Sequence, residues 1–178
     1  MTTTSSTQEY IAPAASSNAA RTKSDSLWRI SVILALIGLF IAGYLSYTKL
    51  TNTEIACVQA ISNCSYVDNS PYAYLGGYGG VPIAYIGFAG YAAIFLTLLG
   101  ERRLALLARH SKWLIFGMAL IGFLVSGYLV AIQALVLHSF CQWCMGSAVT
   151  MTVLFGVSFA RLWRALSAEP DGEEAEQA

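Results

Sequence analysis

The chain contains four cysteines, and their spacing divides them into two pairs suited to different tasks. Cys141 and Cys144 form a C-Q-W-C motif that opens a long apolar segment, whereas Cys57 and Cys64 lie far upstream in the only sizeable loop between apolar segments. A cysteine at the start of a helix meets free backbone N–H groups and a partial positive charge, both of which stabilise a thiolate. The thiolate is the attacking species in disulfide exchange, and C-x-x-C motifs commonly lower the pKa of their first cysteine. The spacing of three residues puts Cys144 on the same helical face, one turn deeper. Cys57 and Cys64 are too far apart for one turn of helix, but a flexible loop can close them into a disulfide. The chemistry these residues point to is thiol–disulfide exchange. A soluble dithiol would reduce the loop pair, and the loop pair the C-x-x-C pair. That dithiol would then pass two electrons to a lipid-soluble quinone, with Cys144 the sulfur placed to meet it. Every thiol step is thiolate attack through a mixed disulfide.

Other uses of these residues differ in what they require. Two structural disulfides would staple loops with no catalysis. A four-cysteine zinc site would use C-x-x-C as a half-site, but the upstream pair lacks that tight spacing, so no metal is expected. His110 falls on the opposite side from the cysteines; His138, near them, reads as an interfacial residue. Trp143, inside the motif, reads as an interfacial anchor or as a wall for an aromatic acceptor.

The elements that must position the cysteines are membrane spans. Of the 178 residues 56% are hydrophobic and 11% charged, against about 25% charged in a soluble domain. Four uncharged stretches reach the roughly 20 residues a bilayer requires: Ile30 to Thr48, Pro82 to Gly100, Trp113 to Leu137 and Ser139 to Ala160. Helices are expected for all of them, because an open sheet cannot satisfy its backbone in lipid. Arg21, Lys23 and Arg29 precede the first span, Arg102, Arg103, Arg109 and Lys112 fill the second connection, and Arg161 and Arg164 follow the fourth, while Lys49 lies on the other side. The excess of positive charge places both termini in the cytoplasm and both cysteine pairs on the extracytoplasmic face, where disulfides persist. The ten basic residues are scattered beside the spans, a pattern that argues against nucleic-acid binding.

Residues 1–26, rich in Ser, Thr, Ala and Gln, read as a disordered cytoplasmic tail, residues 27–164 as the membrane domain, and residues 165–178 as an acidic cytoplasmic tail. In the loop, the apolar residues of Ile55–Val67 suggest a short amphipathic helix on the membrane surface. Its tyrosines suit the bilayer interface, and Gly76, Gly77, Gly79 and Gly80 mark tight turns before Pro82 opens the second span. Small residues at Gly38, Gly43, Gly122 and Gly127 permit close helix packing.

The ordered set of Cys57, Cys64, Ser70 and the C-Q-W-C motif on four spans resembles the vitamin K epoxide reductase family, whose bacterial members act as quinone-linked disulfide oxidases. The segment Gly79–Gly87 is similar to the family's entry into its second helix. The resemblance implies an all-α four-helix transmembrane bundle around a quinone site, capped by the loop's short helix. It implies that Cys57 and Cys64 are the shuttle pair, that Cys141 and Cys144 are the active-site pair with Cys144 contacting menaquinone or ubiquinone, and that Ser70 supports the site by hydrogen bonding. The animal enzymes hold the quinone carbonyls with an asparagine and a tyrosine; Ile83 and Ala148 stand at those positions here. Many bacterial members carry a fused thioredoxin-like domain for which this chain is too short, so a separate thioredoxin-fold partner of the DsbA kind is expected. The expected function is reoxidation of that partner in the bacterial inner membrane, with the order of the cysteine pairs reversed relative to DsbB-type oxidases. The alternatives are a quinone or vitamin K epoxide reductase in cofactor recycling, and a non-enzymatic membrane protein stapled by disulfides.

Overall fold

The computed structural model is all-helical apart from one short hairpin, and it describes residues 12–58, 63–103 and 105–167. Helix α1 spans Ala12–Thr51, α2 Cys64–Asp68, α3 Ile83–Gly100, α4 Ala105–Leu135 and α5 Gln142–Ser167; a 3-10 turn at Pro71–Ala73 leads into strands β1 (Tyr74–Leu75) and β2 (Val81–Pro82). Among the described residues, four helical stretches are long and apolar enough to cross a membrane: Asp25–Thr51, Ile83–Gly100, Ser111–Leu135 and Gln142–Ser167. The large apolar side chains of Phe40, Leu96, Ile121 and Leu124 point outward. That surface would associate in water but is solvated by lipid.

The long helices form a closed ring in which α1 packs on α3 and α5, and α4 packs on α3 and α5. Their shared core contains Ala35, Ala42, Tyr91, Ile94, Leu98, Ile115, Met151 and Leu154. Two of the small residues noted in the sequence set the close approaches: a Cβ on Gly38 would overlap the Tyr91 ring, and one on Gly122 would press on Met151, whereas Gly127 faces open space. Gly38→Ala therefore overpacks the α1–α3 contact and should cost about 1–3 kcal/mol. A lowered melting temperature of the detergent-solubilised variant checks this, with Gly127→Ala as the neutral comparison.

The two ends of the bundle are chemically distinct. At one, Arg161 forms a forked pair with Glu101 at 2.8 and 2.9 Å, and Arg102 bridges to Asp25 at 2.8 Å while lying over the Trp28 ring. The other end carries both cysteine pairs and the connection between α1 and α3. The hairpin there pairs Tyr74 with Pro82 and Leu75 with Val81. Its turn needs glycine, since Gly76, Gly77 and Gly79 all have φ between 83° and 90°.

Three expectations are revised. Residues 12–26, read from composition as part of an unstructured tail, continue α1 as helix; their alanines favour helix and extending an existing helix avoids a new nucleation cost, with Pro13 tolerated in the first turn. Residues 1–11, and the acidic tail beyond Ser167, lie outside the described residues. The amphipathic helix expected across residues 55–67 is reduced to Cys64–Asp68, which Asn63 starts by accepting the Tyr66 N–H. Upstream, residues 53–58 have no regular structure, and residues 59–62 lie outside the description. The second span starts at Ile83, with Pro82 as its N-cap.

Candidate active site

Cys141 is the residue immediately before α5, and its thiol takes the place of an N-capping side chain. The Cys144 N–H donates to Cys141 Sγ at 3.4 Å, so the sulfur occupies the position where a serine or aspartate oxygen would satisfy a free helix donor. The Cys141 backbone N–H donates to Gln133 Oε1 at 2.9 Å. Gln133 is a buried polar residue of α4, so the turn between α4 and α5 is closed by a side chain from α4. The hydrogen bond with the Cys144 thiol, helped by the backbone N–H groups of Cys144 and Trp143, holds the Cys141 thiol below its ordinary pKa, against burial and the Asp68 charge. A lowered pKa means that the thiolate survives at pH values where an ordinary thiol, titrating near about 8.5, is already protonated. The difference in ultraviolet thiolate absorbance between the reduced protein and Cys141→Ala should therefore persist as pH falls below that value. A titration no lower than that of a free thiol contradicts the capping role.

Cys57 and Cys64 form a disulfide with a Cα–Cα distance of 6.2 Å, while Cys141 and Cys144 are free thiols. All four belong to one apolar cluster: Cys64 and Cys141 are buried in it with Ile41, Leu45, Ile55 and Val67, and Cys57 and Cys144 pack against it. The Asn63 N–H donates to the Phe140 carbonyl at 3.0 Å, joining the residue before Cys64 to the residue before Cys141. Cys64 is 1% exposed and Cys141 0%, whereas Cys57 and Cys144 are half-buried.

The loop is pinned to α1 by a residue that the sequence marked only as the lone basic group on its side. Lys49 Nζ bridges to Asp68 at 2.9 Å and donates to the Asp68 carbonyl, Asn69 Oδ1 and the Tyr74 hydroxyl. Its side chain is 9% exposed, and a buried ammonium requires such acceptors. Ser70 is buried and donates to the Val67 carbonyl at 2.7 Å, tying the end of α2 to the turn that follows.

Beside Cys144 lies a cavity of about 330 Å³, at the lower end of the size range of small-molecule sites, lined by residues of all four long helices and of the loop. Its wall is mostly apolar; Cys144, Ser70, Ile83 and Ala148 all reach it, as do the hydroxyl-bearing Tyr91 and Ser147. The Tyr91 hydroxyl donates to the Ser147 carbonyl at 3.0 Å. Among the described residues no three His, Cys, Asp or Glu side chains converge to hold a metal.

Trp143 does not line this cavity. Its ring packs on Tyr44 at 4.8 Å between centroids, and its Nε1–H donates to the Ala56 carbonyl at 2.8 Å. Gln133, Tyr44 and Lys49 have no motif that marks them in the sequence, and the C-x-x-C spacing assigns no role to Gln142. Their roles arise from contacts between distant segments.

A four-helix bundle of membrane-spanning character, with a disulfide and a dithiol meeting at one end beside an apolar cavity, is an arrangement suited to redox chemistry at cysteine beside a membrane. Residues 29–159 match the model of the vitamin K epoxide reductase family, and the chain belongs to that family. Members of the family generally use a quinone-like cofactor.

Proposed function

We propose that this protein is a quinone-dependent disulfide oxidoreductase that reoxidises a thioredoxin-fold, DsbA-like partner in the cytoplasmic membrane. The observation that carries this reading is the gathering of all four cysteines in one apolar cluster, with Cys144 at the cavity wall. Positive charge at the opposite end supports an orientation with both termini in the cytoplasm and the cysteines outside.

Burial suggests the order of exchange. Cys57 is the more accessible loop sulfur and Cys64 is enclosed beside Cys141. The partner thiolate attacks Cys57, the Cys57–Cys64 bond breaks, and Cys64 leaves as a thiolate. The partner's second thiolate then displaces Cys57, completing the partner's disulfide. With the C-x-x-C pair oxidised, Cys64 attacks Cys141 and expels Cys144; Cys57 attacks Cys64, restores the loop disulfide and expels Cys141. The lowered pKa of Cys141 suits this last displacement, because a less basic thiolate leaves faster. The pairing in the structure, loop closed and C-x-x-C pair reduced, corresponds to the state after these exchanges.

A quinone supplies the acceptor for the two electrons and two protons of the Cys141–Cys144 dithiol. The cavity suits such a ring in size and apolarity. Ile83 and Ala148 offer it no side-chain hydrogen bond, so shape and the neighbouring Cys144 would hold it. Ser70 would keep the end of α2 in place at the cavity wall.

The family description favours a second reading, that of a quinone or vitamin K epoxide reductase in cofactor recycling. The cysteine chemistry is common to both. A third reading, two closed structural staples, would support no electron transfer to any acceptor. The test mixes the purified full-length chain with a reduced thioredoxin-fold protein and ubiquinone-1 or menadione while quinone absorbance is followed. Partner-dependent loss of absorbance supports the oxidase. Conversion of added vitamin K epoxide to the quinone supports the second reading, and no reduction of either acceptor removes both.

A further inference from the structure

The two residues between the active-site cysteines do not face the cavity; they hold the loop. Gln142 Oε1 accepts the Val58 N–H at 3.3 Å, and Trp143 Nε1–H donates to the Ala56 carbonyl at 2.8 Å. The Ala56 N–H donates in turn to the hydroxyl of Tyr44, whose ring packs on Trp143. The backbone on both sides of Cys57 is thus gripped by side chains of the C-Q-W-C motif and by the aromatic residue packed on it.

We infer that Gln142, Trp143 and Tyr44 are positioning residues that dock the shuttle segment Ala56–Val58 onto the C-Q-W-C motif and thereby set the rate of exchange between the two cysteine pairs. The inference rests on the relay reading above. Three features of the arrangement support it. Residues 53–58 have no regular structure, so no ladder of their own aligns Cys57. The grips come from the residues flanked by Cys141 and Cys144, so they fix the loop relative to the reacting sulfurs and not merely to the bundle. They address the peptide groups beside Cys57 and leave its sulfur free to exchange. Attack at a disulfide is sensitive to placement, and small misplacements of reacting groups slow reactions severalfold to a hundredfold.

The consequence is testable within the chain, with neither quinone nor partner. In a Cys144→Ala background the Cys141 thiolate attacks Cys64. The Cys57–Cys64 bond breaks, Cys64–Cys141 forms, Cys57 leaves as a thiolate, and the exchange is redox-neutral. The crosslink is trapped by acid, free thiols are alkylated, and the linked peptides are identified by mass spectrometry. Trp143→Phe retains an aromatic ring against Tyr44 but removes the donor. It should slow crosslinking about fivefold, the effect of one ordinary hydrogen bond; Trp143→Phe with Tyr44→Phe should slow it further.

Trp28 provides a matched control. Its Nε1–H donates to the Leu98 carbonyl at 3.1 Å, the same kind of bond at the opposite end of the bundle. Trp28→Phe should leave the crosslinking rate at the parent value. Undiminished crosslinking in Trp143→Phe overturns the inference, as does equal slowing in Trp28→Phe, which would mark general loosening. A failed quinone assay would sink the proposed function without touching this measurement. A normal crosslinking rate in Trp143→Phe would leave quinone coupling intact.

Discussion

Cys141→Ala and Cys144→Ala should each reduce partner-driven quinone reduction by about a thousandfold or more, to the uncatalysed background. The two sulfurs act as one unit: a lone thiol at either position can neither close the active-site disulfide nor deliver two electrons, so single removal costs about as much as double removal. The two variants differ in what accumulates. Without Cys144, the Cys64–Cys141 mixed disulfide lacks its internal competitor and builds up. Without Cys141, nothing stands beside Cys64 to exchange with it, and the loop stays reduced once a partner has reduced it. Folding should survive both changes. Cys141→Ala removes a capping sulfur from α5, a loss of order 1 kcal/mol, while the Gln133 contact is to the backbone and remains available. The measurement is steady-state quinone absorbance beside a melting curve for each variant. Wild-type turnover in either one removes the active-site assignment.

The second large effect separates the two cysteine pairs. The double variant Cys57→Ala with Cys64→Ala should lose partner-driven turnover by about a hundredfold or more, yet keep quinone reduction driven by a small dithiol within about tenfold of wild type. The reason is steric. Cys141 is enclosed, so a folded partner protein needs the loop as intermediary, whereas a small dithiol reaches the motif once the covering disulfide has gone. Closing so short a loop by a disulfide contributes about 2–3 kcal/mol in the chain-entropy model. Its loss should loosen the segment without detaching it, because Lys49 still holds Asp68, Asn69 and Tyr74. Equal loss with both electron donors would place the loop cysteines in the folding of the site and not in the relay.

The parts of this architecture that are local along the chain were legible without coordinates. Span length and apolarity are properties of consecutive residues, and the four expected spans correspond to α1, α3, α4 and α5. The placement of Cys141 at a helix start was legible for the same reason, since capping involves residues three apart. Composition was a poorer guide at the N-terminal side, where α1 begins at Ala12 although the segment is polar: helix can propagate from a neighbouring span regardless of whether a segment buries anything. The loop was the least legible. Its backbone partners come from Tyr44 on α1 and from Gln142 and Trp143 on α5, up to 87 residues away in sequence.

By itself, then, the amino-acid order determined the four apolar helices, the thiol chemistry and the cysteine that would begin α5, because hydropathy, helix period and capping act over a few neighbouring residues. Only the tertiary structure decided that both pairs share one cluster, that Lys49 anchors the loop, that Ile83 and Ala148 line the same cavity as Cys144, and that Trp143 holds the loop. Those outcomes depend on hydrogen bonds and packing between segments that the ring of helices brings together, and no spacing within a single segment encodes them.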